Sequence, residues 1–274
     1  MKSTVLIIAG SDPTGGAGLQ ADIKTMTVIG VYAAAVVTCI TVQNSRGVKR
    51  VTPLEPYLVS EQIKAVIEDH HVTHIKVGMV GTSAIAEAIN KTLEDFTGEI
   101  IVDPVLLSTT GQELFQSSDI TALKSNLISK ATIITPNLPE LSVIIDTKTN
   151  DPEDALKAAG DLLEEFSNLH GVLVKGGHIT GRKEVTDFLL YRSNEITKLV
   201  SSTRPFIKSQ NTHGTGCTLA SAYTAYHSLT GDDELAFYNS TNFIQHALET
   251  SSTIEIIKNI EGCGGLFHTP MDNE

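Results

Sequence analysis

The sequence predicts an α/β fold with a mostly parallel central sheet, helices on both faces and an antiparallel hairpin at one edge. Three observations carry this. Short apolar runs rich in β-branched residues recur along the 274 residues, helix-patterned stretches separate them, and no repeat, low-complexity linker or composition break interrupts the series. Parallel strands read as continuous apolar runs because both of their faces are covered.

The elements follow in order. Runs at 5–9, 35–42, 75–80, 100–103, 132–135 and 172–175 are the expected strands, and amphipathic stretches near 57–69, 83–96 and 151–168 are the expected helices between them. Over 185–203 an extended run, a polar turn at Arg192-Ser193-Asn194-Glu195 and a second extended run predict the edge hairpin. Two helices follow, one from about Gly216 and one over 233–258, before a Gly-rich end from about 260 that is expected to be loose. Residues 1–274 read as a single domain, since alternating architectures of this size often stay undivided.

Composition excludes several classes. Hydrophobic residues at 41% and charged residues at 19% are globular values, and a net charge of -12 argues against nucleic acid, whose phosphates need clustered Lys and Arg. A small anion remains possible, because backbone amides and one lysine suffice locally. Cys39, Cys217 and Cys263 are too few and too dispersed for a disulfide framework or a paired-cysteine zinc site, which fits a reducing compartment. The start has no signal-peptide pattern and no run is long enough to span a bilayer, so the expectation is a cytoplasmic protein without a membrane partner.

Ligands of open α/β sheets bind beyond the carboxyl ends of the strands. After the first strand comes Gly10-Ser11-Asp12-Pro13-Thr14-Gly15-Gly16-Ala17-Gly18, leading into a helix through Gln20 and Asp22. Such a loop brings bare backbone close to a ligand, although an ordinary tight turn reads the same way. It lacks the end of a Walker A loop. Gly16-Ala17-Gly18-Leu19-Gln20-Ala21 fits the dinucleotide pattern, yet no acid follows about twenty residues on to hold a ribose, which removes support for a dehydrogenase.

The strongest motif is Asn211-Thr212-His213-Gly214-Thr215-Gly216-Cys217-Thr218, opening an Ala-rich helix. Small residues at a helix start leave amides unpaired at the positive end of the dipole, where a transferring phosphoryl group would be stabilised. Cys217 in that field is expected to ionise more easily than a free thiol and to act as general base toward a substrate hydroxyl; the alternative is a small buried residue at the helix start. A Cys217–His213 pair of the thiol-hydrolase kind is disfavoured, because both sit on one turn.

Further candidates end the other strands. Asn137-Leu138-Pro139-Glu140 and Asp103 offer carboxylates that hold Mg²⁺ through water, although Glu140 also reads as a helix N-terminal acid. Asp103 closes an Ile-Ile-Val strand, where a carboxylate is costly unless paired or metal-bound. Lys175 before Gly176-Gly177 reaches nucleotide phosphates or simply faces solvent. The Gln43 carboxamide pairs with an aminopyrimidine edge, and Met79 is either an apolar wall beside it or core.

Taken together, these blocks resemble, in order and spacing and over nearly the whole chain, the hydroxymethylpyrimidine/phosphomethylpyrimidine kinases of thiamine biosynthesis. They are Ala9 to Lys24, Thr41-Val42-Gln43-Asn44, Val77-Gly78-Met79, Val102-Asp103-Pro104-Val105, Thr135 to Glu140, Val174-Lys175-Gly176-Gly177-His178 and Asn211 to Thr218. The resemblance implies a ribokinase-like three-layer αβα fold, a homodimer, ATP with Mg²⁺, and phosphorylation of the pyrimidine alcohol and then of its monophosphate. By position, Gln43 would read the pyrimidine with Gly10, Asp22 and Met79 around it. Gly214, Thr215 and Gly216 would form the anion hole, Cys217 would be the base, Lys175, Asn137 and Glu140 would serve the nucleotide, and Asp103 and Glu140 the metal. Leu106-Leu107-Ser108-Thr109-Thr110-Gly111 departs from the family's pattern, and the tail around Gly262-Cys263-Gly264-Gly265 has no assigned counterpart. The rival readings are a pyridoxal or pyridoxine kinase on the same scaffold and a non-catalytic pyrimidine-binding regulator. Gln43-Asn44 favours the pyrimidine over the first, and the set of turn, lysine and carboxylates speaks against the second.

Overall fold

The computed structural model describes residues 4–108, 111–115, 119–149, 151–177, 183–194, 196–258 and 261–271. Thr109, Thr110, His178 and Glu195, quoted above, lie outside the described residues. Strand β1 (Thr4–Ser11) shows how the layers arise. Its Leu6 and Ile8 enter one apolar cluster while Val5, Ile7 and Ala9 enter another on the opposite face, the period-two alternation of a strand covered on both sides.

The first cluster gathers α2 (Pro56–Asp69), α3 (Ser83–Thr92), α4 (Ile120–Asn126), α5 (Leu138–Ile144) and α6 (Pro152–Glu165), through residues such as Ile63, Ile89, Leu123, Leu141 and Leu162. On the other face, Leu19 and Met26 of α1 (Gly18–Ile29) meet Ala225 of α7 (Thr215–Thr230). Beside them Tyr223 of α7 packs with Phe237 and Ile244 of α8 (Asp233–Ser252). The result is a three-layer αβα sandwich.

The remaining strands are β2 (Tyr32–Asn44), β3 (Gly47–Pro53), β4 (Val72–Val77), β5 (Glu99–Val102), β6 (Ile133–Ile134), β7 (Gly171–Val174), β8 (Glu184–Ser193) and β9 (Ile196–Pro205). They form one sheet in the order β3-β2-β1-β4-β5-β6-β7-β8-β9. Strands β2, β1, β4, β5, β6 and β7 are mutually parallel, and the β8–β9 hairpin is antiparallel at one edge, as the sequence predicts. The other edge is antiparallel too: β3 folds back on β2. No apolar run announces β3, because its residues are half-buried or exposed.

Register brings the carboxyl ends of the central strands to one line. Ile8 pairs Val77, Val77 pairs Val102 and Val102 pairs Ile134. Gly10, Gly78, Asp103 and Thr135 therefore follow along one edge, tied by Gly78 N–H to Ile8 O, Asp103 N–H to Val77 O and Thr135 N–H to Val102 O. Two expectations about the end of the chain are corrected. Helix α8 stops at Ser252 rather than 258, and the described part of the tail is docked: Leu266 is buried against the α7–α8 cluster and the Phe267 amide donates to Ser251 Oγ. Apolar burial of Leu266 outweighs the flexibility that the neighbouring glycines suggest.

Candidate active site

The first glycine-rich loop folds around Asp12. Its carboxylate accepts the amides of Thr14, Gly16 and Ala17 at 2.8, 3.1 and 2.9 Å, the Thr14 hydroxyl, and His213 Nε2 at 2.9 Å. Burial alone would raise this carboxyl, but the bonds from His213, Thr14 and Ala17 outweigh it and hold the group well below the usual carboxylate range. His213 thus turns its Nε2 to Asp12 across the two loops. The loops touch through bare backbone: a Cβ on Gly214 would lie 1.8 Å from Gly16 O, and one on Gly265 of the tail 2.6 Å from Gly16 Cα. Only glycine permits either approach.

Gly214 caps α7 with φ 86 and no side-chain bond. The Thr215 amide reaches Thr212 O at 3.3 Å and the Thr218 amide begins the helical ladder on Gly214 O. Among the described residues the amides of Gly216 and Cys217 have no partner, so two donors remain at the positive end of α7.

Lys175 comes to the same spot from the end of β7. A Cβ on Gly216 would lie 3.3 Å from its Nζ. The ammonium donates to Asp103 Oδ1 at 2.6 Å and lies 3.6 Å from Glu140 Oε2. Burial opposes a charge on Lys175, yet Asp103 and Glu140 outweigh it and keep the lysine protonated. Lys175 is buried rather than a solvent-facing strand end. Asp103 also accepts Thr135 Oγ1, while its Oδ2 is buried without a hydrogen-bond partner among the described residues.

Asn137 and Glu140 form a reciprocal capping box at the start of α5. Asn137 Oδ1 accepts the Glu140 amide at 2.9 Å and Glu140 Oε2 accepts the Asn137 amide at 2.8 Å. The helix-acid reading of Glu140 therefore holds, and the same carboxylate lies 3.6 Å from Lys175 Nζ. Burial pushes the Glu140 carboxyl up to about 7, with Asp103 adding to the rise and Lys175 opposing it.

Cys217 departs from expectation. Burial pushes its thiol up to about 12, with Asp103 and Asp22 adding, against the pull of Lys76 and a bond from the Gly18 amide. The residue keeps partial exposure, but desolvation and two carboxylates outweigh the helix field that was expected to favour the thiolate. Asp22 is displaced from its expected place around the substrate. It has 0% exposure, and its oxygens are taken by Lys76 at 3.0 and 2.9 Å and by Ser221 at 2.7 Å. A carboxylate held this way has no free edge for a ligand.

Gln43 lines a recess with Ser45, Val48, Ser108, His213 and Cys263. Gly10 and Met79 lie outside that lining and pack around Cys39: a Cβ on Gly10 would stand 2.7 Å from Cys39 Sγ and 3.2 Å from Met79 Sδ. Met79 is buried, as its core reading requires, and its sulphur still faces the loop. The tail supplies Cys263, whose amide donates to Ser45 O, and Gly264, whose carbonyl accepts the His213 amide.

Sequence reasoning missed Lys76, Asp12 and the tail. A lysine inside Val72–Val77 reads as a solvent-facing strand position; only its partner on α1 shows it to be buried. The signal available for Asp12 was its place in a glycine-rich turn followed by Thr14.

A buried lysine and two acids facing a glycine-capped helix start, at the carboxyl edge of a three-layer sheet, belong to the ribokinase-like phosphotransferases. The chain belongs to the phosphomethylpyrimidine kinase family, whose profile matches residues 12–261. It is 34% identical over 256 residues to the hydroxymethylpyrimidine/phosphomethylpyrimidine kinase of Escherichia coli K12, covering 93% of this chain and 94% of the relative. With a chloroplastic thiamine biosynthetic bifunctional enzyme of Arabidopsis thaliana it shares 38% identity over 94% of this chain, which spans 49% of that longer protein. The phosphomethylpyrimidine kinase structure from Clostridium difficile 630 superposes with a TM-score of 0.76 at 35% identity, covering 90% of this chain and 100% of that one. A Staphylococcus aureus pyridoxal kinase in complex with ADP gives 0.83 at 28% identity, covering 98% and 94%.

Proposed function

We propose that the protein phosphorylates 4-amino-5-hydroxymethyl-2-methylpyrimidine with ATP, and then its monophosphate to the diphosphate, in thiamine biosynthesis. The observation that carries this reading is that Lys175 Nζ, bonded to Asp103, stands 3.3 Å from where a Cβ on Gly216 would lie, at the helix start whose Gly216 and Cys217 amides are uncapped. A lysine and two convergent N–H donors match the terminal phosphoryl group of a nucleotide, whose charge grows during transfer. In this reading Cys217 takes the proton of the substrate hydroxyl and the Gln43 carboxamide meets the ring nitrogen and amine of the pyrimidine.

Asp103 and Glu140 fit a nucleotide-borne Mg²⁺. Asp103 Oδ2 is a buried acceptor without a partner, and among the described residues no cluster of three His, Cys, Asp or Glu forms a metal cage of its own. That suits an ion which keeps its waters and arrives on phosphates. Mg²⁺ would supply neutralising charge to the phosphate oxygens. No described helix is long and apolar enough to cross a membrane, and the reading includes no membrane or nucleic-acid partner. We place the enzyme in the cytoplasm as a homodimer; exposed Ile40 and Val42 on β2 support a partner copy.

The second reading is a pyridoxal kinase, favoured by the close superposition on the Staphylococcus aureus structure. ADP release with hydroxymethylpyrimidine, its monophosphate and pyridoxal as acceptors tests both. The proposal expects turnover of the first two; faster phosphorylation of pyridoxal would replace it, and no release with any acceptor would leave the non-catalytic regulator.

A further inference from the structure

A buried contact ties α1 to α7 on the inner side of the site: the Ser221 hydroxyl donates to Asp22 Oδ1 at 2.7 Å, and Cys217 stands four residues before Ser221 on the same helix. Four residues are about one helical turn, roughly 5.4 Å, so the Asp22 carboxylate stands one rung from the thiol. Lys76 reaches this level from β4 and is clamped by both Asp22 oxygens at 0% exposure. It gets there because Gly78 has no side chain: a Cβ would lie 2.9 Å from the ammonium.

A buried ion pair is a poor way to fill space, since an apolar pair of similar volume is often neutral or stabilising. The charged groups facing the Cys217 sulphur are Lys76 from β4, Asp103 after β5, Asp22 from α1 and Lys175 after β7. Lys175 is committed to Asp103 and, in the reading above, to phosphates. Lys76 has no ligand to serve.

We propose that Lys76 is a positioning residue for phosphoryl transfer, its ammonium held by Asp22 one rung below the thiol so that the Cys217 sulphur can carry negative charge. In the step this supports, the thiol, protonated at rest, gives its proton to solvent, and the substrate O–H proton then passes to the thiolate sulphur, which restores the thiol. The substrate oxygen bonds the γ-phosphorus, and the bond to the β–γ bridging oxygen breaks, its electron pair leaving with ADP. The catalytic meaning rests on the kinase reading, but the charge coupling is measurable without turnover.

The test is the rate of Cys217 alkylation by iodoacetamide in the full chain, followed by peptide mass spectrometry between about pH 7 and 10. Lys76→Met removes the cation, and the double variant Asp22→Asn with Lys76→Gln replaces the ion pair by a neutral hydrogen-bonded one, in case a lone buried carboxylate prevents folding. At about pH 9 Lys76→Met is expected to react at Cys217 roughly 10- to 100-fold more slowly than the unsubstituted protein, the effect of a unit charge about 6 Å away in partly screened surroundings, and the double variant, which also loses the opposing Asp22 charge, by a smaller factor of about 3 to 10. Cys263 should react at an unchanged rate, and kcat should fall by a similar factor while KM for ATP moves by less than about threefold. Cys217 reactivity within about twofold of the unsubstituted protein would overturn the inference and leave the kinase reading intact. Full turnover in Cys217→Ala would instead end the role of the thiol and leave the charge coupling measured.

Discussion

Lys175 Nζ donates to Asp103 Oδ1 at 2.6 Å, which fixes a buried ammonium beside the start of α7. The space between that ammonium and the helix is reserved by Gly216, whose added Cβ would stand 3.3 Å from Nζ. Gly216→Ala is therefore expected to shift the lysine by a few tenths of an ångström and to raise KM for ATP about tenfold, a loss of about 1.4 kcal/mol. Stability should be held or improved, since Ala is favoured over Gly inside a helix by about 1 kcal/mol. Steady-state kinetics together with urea unfolding separate the two effects.

Chemistry and recognition should separate at Cys217 and Gln43. Cys217→Ala is expected to lower kcat by about two to four orders of magnitude at nearly unchanged ligand affinity, the span of a positioned acid or base. Gln43→Ala is expected to raise KM for the pyrimidine roughly tenfold with little change for ATP, the loss of one polar contact of about 1.4 kcal/mol. An effect of Gln43→Ala confined to ATP would show that the two subsites have been exchanged.

Substitution at Gly214 should act on folding. Its φ of 86 and the 1.8 Å approach of an added Cβ to Gly16 O leave no room for Ala, so Gly214→Ala is expected to cost more than about 3 kcal/mol. Gly231 has φ 65 but open space around an added Cβ, and Gly231→Ala should cost only about 1 kcal/mol. Equal losses in chemical denaturation would contradict the close contact.

His74 predicts a dependence on acid. Burial, with His227 beside it, pushes its imidazole down to about 4. As pH falls from about 6.5 to 4, the unfolded chain takes up a proton that the folded chain refuses, so acid favours unfolding by about 3 kcal/mol at this site. His74→Gln should lose that much less stability over the same window. Parallel unfolding curves for the two proteins at pH 7 and about pH 4 measure the difference.

The sheet was legible because buried strands carry their own apolar runs, as in 5–9 and 100–103, and the turn before Cys217 was legible because glycine at a helix start has few other uses. What remained hidden depends on partners far along the chain. Lys76 reads as a surface residue until Asp22, 54 positions earlier, neutralises it. The thiol of Cys217 reads as activated until its burial, with Asp103 and Asp22 adding to the same effect, is seen. Strand β3 has little apolar content of its own and exists through its pairing with β2. The tail reads as loose because its glycines conceal what Leu266 buries.

The meeting of Gly16, Gly214 and Gly265 has a temporal consequence. A chain leaving the ribosome exposes the earliest of these contacts long before the other two have been made. Nascent protein must therefore wait to close this junction until Gly265 has emerged, about 250 residues after Gly16, and such long-range closure favours slow folding.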